Sequence, residues 1–194
     1  MTGLAAVSVA LLVVSGLVGV PQYLERWRGT PSHPQVWLYC SALVQILLLG
    51  AAAVVALLSG GGAGWAVSGP LAVLAATVGG SSPTVAILRL SFNSSHPEHQ
   101  QVLTGPEGEK VFNEEINAQP VLRGGAWIGV LERLAVASTL IMGWPEGLAI
   151  ILAVKALGRY SELGKSGAAE RFILGTFASQ LWACACVGVA VLLA

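Results

Sequence analysis

The chain has 194 residues, of which 55% are hydrophobic and only 10% charged, with a formal net charge of zero. Soluble domains carry about 25% charged residues, so this composition excludes a disordered chain and argues against a soluble globule. It also offers no basic excess for nucleic acid. The expected class is all-α: one polytopic helical membrane domain over residues 1–194, with about six transmembrane helices.

Residues 3–20 are an uninterrupted apolar run with no Lys or Arg. They lack the basic flank of a cleaved signal peptide and read as a retained first helix. Pro21 ends the run, and a polar connection with Glu25, Arg26, Arg28 and His33 leads to a second apolar run over 36–58. Three glycines at 60–62 then make a short turn. The third segment is apolar from Trp65 to Val78, is interrupted by Gly79, Gly80, Ser81, Ser82 and Pro83, and resumes at Thr84. Ser82 as a cap and Pro83 at a first helical position describe one helix ending and another beginning. Two readings follow. If the break across 79–83 lies inside the bilayer, Ser81 and Ser82 present a helix N-terminus to an anion or a water-filled cavity. Otherwise the span ends near Val78 and a short interfacial segment carries Arg89 to water.

Residues 93–119 are the one sizeable soluble segment, with a short hairpin expected over 102–112. His96 and His99 flank Pro97 with no third ligand at useful spacing, so no metal site is assigned. Glu114 and Glu115 lie outside any span and lack the Arg of a membrane-protease glutamate pair. Cys40, Cys184 and Cys186 all sit in apolar runs. Cys184 and Cys186 point about 200° apart on a helix, so they read as packing thiols. No cofactor signature is present.

Two further apolar runs flank a turn at Gly143, Trp144 and Pro145, and each carries charge inside it. Antiparallel helices joined there put residues at equal depth when their numbers sum to about 287, a condition that Glu132 and Lys155 meet. A lone charge at the bilayer centre costs at least about 2.5–3.5 kcal/mol, so these two are expected to pair. Side chains lean toward the helix N-terminus, so Arg133 is expected to snorkel back to the cytoplasmic interface. Arg159 lies one turn beyond Lys155, with Glu162 as its expected partner at i, i+3. Ser138 and Thr139 extend a polar track outward. The last apolar run, 172–194, carries Gly175, Ser179 and Ala183 at four-residue spacing. Thr176, Gln180, Cys184 and Gly188 form a second row. Such stripes let helices approach closely, within one chain, in a homo-oligomer or in a membrane complex.

With six spans, the odd-numbered connections hold every Lys and Arg except Arg133 and Lys155, and the even-numbered ones hold none. The positive-inside bias then puts both termini outside and the basic connections in the cytoplasm. The blocks R-G-G-A-W-I-G-V-L-E-R at 123–133, A-V-K-A-L-G-R-Y-S-E-L at 153–163 and A-E-R-F-I-L-G-T at 169–176 resemble a family of small bacterial integral membrane proteins without an established activity. The resemblance covers about the last 75 residues. It implies a bacterial inner membrane and the same charged hairpin, and supplies no catalytic residues.

The candidate binding residues are therefore Glu132, Arg133, Lys155, Arg159, Ser81 and Ser82. The functional expectation is a membrane protein that binds or transports a small ion or an amphiphile through this cluster. A lipid-modifying membrane enzyme and a structural subunit of a complex are the alternatives. The pair also has a purely architectural reading, as an ion pair that fixes helix register.

Overall fold

A computed structural model describes residues 3–21, 35–95, 125–163 and 167–194. Every regular element among them is a helix: α1 (Gly3–Val18), α2 (Gln35–Ser59), α3 (Trp65–Gly79), α4 (Ser81–Ser95), α5 (Gly125–Ile141), α6 (Gly147–Gly158), the single turn α7 (Tyr160–Leu163) and α8 (Ala168–Leu193). Long runs of Leu, Ala and Val without turn residues favour this outcome, because a helix satisfies its own backbone where water is absent. The six helical segments expected from the sequence are present, counting α3 and α4 as one. Three are long and apolar enough to cross a membrane: Val36–Ser59, Trp65–Ser91 and Ala168–Leu193. The expected soluble segment, with its hairpin, lies outside the described residues apart from its first three, which continue α4.

Helix α8 is the centre of the bundle and packs on α3, α4, α5 and α2. Its small-residue stripe is used inside the chain. Ser179 and Ala183 are buried, and Gly175 faces the Leu88 side chain of α4. On the far side, α1 lays Ala5, Ser8, Leu12 and Ser15 against neighbouring helices, and the Ser8 hydroxyl donates to the Ala52 carbonyl of α2 at 2.7 Å. Helices α1 and α3 cross almost backbone to backbone: a Cβ on Gly16 would stand 2.9 Å from Ala75 Cα.

The interruption at 79–83 is smaller than the sequence suggests. Gly80 alone separates α3 from α4, and its backbone stays right-handed at φ −70°, ψ −4°. Ser82 does not cap the second helix; its hydroxyl is buried without a hydrogen-bond partner among the described residues. Pro83 supplies no N–H, so the Gly79 carbonyl loses its usual donor four residues on. The Gln45 amide donates to that oxygen at 3.1 Å and to the Ser15 carbonyl of α1 at 3.1 Å. Trp182 fills the space left by the two glycines, where a Cβ on Gly79 would meet Trp182 Cζ2 at 2.8 Å. The discontinuity is thus a one-residue bend whose carbonyls are taken by side chains.

The hairpin of α5 and α6 turns through Gly143 at φ +72°. Trp144 N–H donates to Thr139 O at 2.8 Å and Gly143 N–H to Leu140 O at 3.1 Å, the paired bonds of a glycine-terminated helix. Gly147 lets the arms close, since a Cβ there would collide with Thr139 Cγ2. Helix α6 has only 12 residues, about 18 Å at ~1.5 Å per residue. It is shorter than the expected spanning arm because Gly158 and the turn at Arg159 end it.

Gln45→Leu keeps the bulk and removes the donor from two buried carbonyls. Each orphaned carbonyl costs about 1–3 kcal/mol, offset in part by loss of Gln45 Oε1, itself buried without a partner among the described residues. The net loss is read as a lower thermal midpoint by circular dichroism in detergent. An unchanged midpoint would show that neither carbonyl depends on Gln45.

Candidate functional site: a cationic cleft

Helix α6 packs on α5 and makes no comparably extensive contact with α4 or α8 among the described residues. The interval between them is an open cleft of about 690 Å³, within the ~300–1,000 Å³ usual for small-molecule sites. Four helices line it. Ser81, Thr84, Val85 and Leu88 come from α4, and Glu132 and Arg133 from α5. Lys155 and Val154 come from α6, and Phe172, Thr176 and Ser179 from α8.

The hairpin places Glu132 and Lys155 side by side, as their equal depth predicts. Lys155 Nζ lies 2.5 Å from Glu132 Oε2, with side chains 21% and 18% exposed. The same ammonium sits 5.8 Å from the centre of the Phe172 ring, a cation–π distance that ties α6 to α8 across the cleft.

Arg133 departs from expectation. Instead of snorkelling it turns inward and is 4% exposed. Its Nε and Nη2 donate to the Thr77 carbonyl at 3.1 and 3.0 Å, Nη2 also to Ser81 Oγ at 3.3 Å, and Nη1 to Ser179 Oγ at 3.5 Å. The reason is local: a carbonyl beside the helix bend accepts a charge-assisted bond and offsets burial of the guanidinium. Gly80 makes room, for a Cβ there would stand 2.8 Å from Arg133 Nε.

Five of the six residues expected from the sequence line this one cleft: Glu132, Arg133, Lys155, Arg159 and Ser81. Ser82 does not line it. Arg159 is exposed at the end of α6, and the side chain of its expected partner Glu162 lies outside the described side chains. The polar track beyond Glu132 closes on itself, since the Thr139 hydroxyl donates to Val136 O at 2.9 Å. Sequence reasoning missed Arg171 as a lining residue and Thr176 as a site hydroxyl. Thr176 lies four residues from Phe172 and three from Ser179, a spacing that puts all three on one helical face.

No family model, curated protein or solved structure matches this chain. What the cleft can do follows from its lining. Among the described residues the lining holds Arg133, Lys155, Arg159 and Arg171 with the carboxylate of Glu132, a formal count of four positive groups to one negative. The remaining walls are mostly apolar, including Leu88, Leu131, Ile150, Ile151 and Val154. Among the described residues no three His, Cys, Asp or Glu side chains gather as metal ligands; His96 and His99 lie outside them.

An ion pair sealed from water loses about 3–5 kcal/mol when one partner is removed. This pair borders an open cleft, so Glu132→Gln is expected to cost about 1.5–3 kcal/mol, the range for a hydrogen bond to a charged group. Glu132→Gln combined with Lys155→Met should recover much of that loss in a double-mutant cycle of unfolding midpoints. Strict additivity of the two single variants would show that the residues do not stabilise each other.

Proposed function

We propose that the protein is a bacterial inner-membrane protein of six spans with both termini outside, and that it binds an anionic amphiphile in the cleft. The observation that carries this reading is an excess of cationic side chains over mostly apolar walls, in an opening between α6 and its neighbours. A small ion calls for polar ligands alone, whereas an amphiphile uses both parts of this lining. Its charged group meets Arg133, Lys155, Arg159 and Arg171, and its hydrocarbon lies along Leu88, Ile151 and Val154. Arg159 and Arg171 are exposed at the ends of their helices, where arginines attract anionic headgroups at about 1 kcal/mol each. Exposed leucines such as Leu43, Leu47, Leu57 and Leu181 fit a lipid-facing surface. The compartment rests on the distribution of Lys and Arg and on the C-terminal sequence blocks.

Gentle purification followed by mass spectrometry of bound lipids tests the ligand class. The wild-type protein is expected to retain anionic lipid, and Arg159→Gln with Arg171→Gln to retain several-fold less. Retention of zwitterionic lipid alone, or equal retention by both proteins, would remove the reading.

Orientation has its own test. Single cysteines placed within 93–119, in a background lacking Cys40, Cys184 and Cys186, should resist an impermeant thiol reagent in intact cells and react after lysis. Labelling in intact cells would invert the topology.

A further inference from the structure

The inner end of the cleft holds hydroxyl groups whose hydrogens no acceptor among the described residues takes. Ser81 Oγ and Ser179 Oγ each accept a hydrogen bond from Arg133. A hydroxyl that accepts in this way still has one O–H to donate, and among the described residues neither donates to a protein acceptor. Thr176 is 3% exposed and lines the same cleft, and its Oγ1 is closed off with no hydrogen-bond partner among the described residues, so a turn about χ1 is what brings it to an acceptor in the cleft. A buried hydroxyl left in that condition costs about 1–3 kcal/mol, and a bound acceptor would recover it. Thr176 and Ser179 are three residues apart on α8, so their Cβ atoms stand about 5–6 Å apart on one face. Ser81 approaches from α4, and the Arg133 guanidinium bridges the two helices.

We infer that Ser81, Thr176 and Ser179, backed by Arg133, form an oxyanion site for the phosphate of a phosphomonoester. The inference rests on the anionic-amphiphile reading and specifies its headgroup. Three O–H donors from two helices match the three terminal oxygens of a phosphomonoester. A planar carboxylate offers two oxygens, and a phosphodiester offers two that are not esterified. The cationic side chains among the described lining residues also suit a group that carries about −1.5 to −2 at neutral pH. Arg133 polarises two of the hydroxyls by donating to them, which strengthens their own donation. Lys155 adds a positive charge from the facing helix.

The test is a binding titration of the purified full chain in nanodiscs of phosphatidylcholine. The probes are a phosphatidic acid, a phosphatidylglycerol, a fatty acid and inorganic phosphate. Phosphatidic acid is expected to bind at least about tenfold more tightly than phosphatidylglycerol, the equivalent of ~1.4 kcal/mol. Thr176→Val keeps the shape and removes the hydroxyl, and should abolish most of that preference by weakening phosphatidic acid several-fold more than phosphatidylglycerol. Ser179→Ala provides a second, independent variant with the same expectation. Equal affinity for the two phospholipids, or a preference unaffected by both variants, would overturn the phosphate site while the amphiphile reading stands. Tight binding of inorganic phosphate, lost in Thr176→Val, without binding of any lipid would support the oxyanion site and overturn the amphiphile reading. Failure of every probe to bind would overturn both.

Discussion

The bond from Arg133 to the Thr77 carbonyl is the contact on which the arrangement of the cleft depends. It joins α5 to the bend between α3 and α4, and the same guanidinium reaches Ser179 on α8. Each member of the contact answers a need of another. A bend in a helix leaves a backbone acceptor open to a side chain, and a buried guanidinium requires acceptors. Gly80 is present because a side chain there would occupy the path of Arg133. The bend that reads in the sequence as a weak point is therefore a socket for the deepest cation.

Gln45 has the corresponding role on the other face. Its amide reaches Ser15 of α1 and Gly79 of α3 at once, so one polar residue of α2 satisfies oxygens on two neighbouring helices. Around it the contacts are made by Ala, Gly and Ser, which bring backbones close enough for dispersion to hold helices together without a hydrophobic drive. The molecule thus combines a tight group, α1 to α4 with α8, and the hairpin of α5 and α6, which is attached through α5. The cleft lies along that boundary.

Much of this was legible in the chain. Apolar run lengths gave the helical segments, and counting outward from Gly143 gave the level at which Glu132 and Lys155 meet. Depth is one-dimensional and follows from the rise of a helix. Direction around the helix axis does not: from its own helix Arg133 reads as leaning toward water, because nothing there shows that Thr77 offers an oxygen. Nothing local singles out Gln45 within the apolar run 36–58, since its two acceptors are 30 and 34 positions away. Ser82 reads as a cap on local grounds, but Gly80 keeps a right-handed backbone and the helix resumes at once at Ser81. Thr176 reads as part of a packing row, because a stripe of small residues looks the same whether it faces a helix or a cavity.

If α6 lies in a bilayer as proposed, its shortness has a mechanical consequence for the surrounding lipid. A helix of about 18 Å beside a hydrocarbon layer of ~30 Å is a hydrophobic mismatch, and a bilayer meets such a helix by thinning locally. Thinning on the α6 side would draw the headgroup plane toward Arg159 and Lys155. For an amphiphile of the kind proposed, the path into the cleft would then be set by deformation of the membrane as well as by motion of the protein, and would lengthen in a stiffer or thicker bilayer.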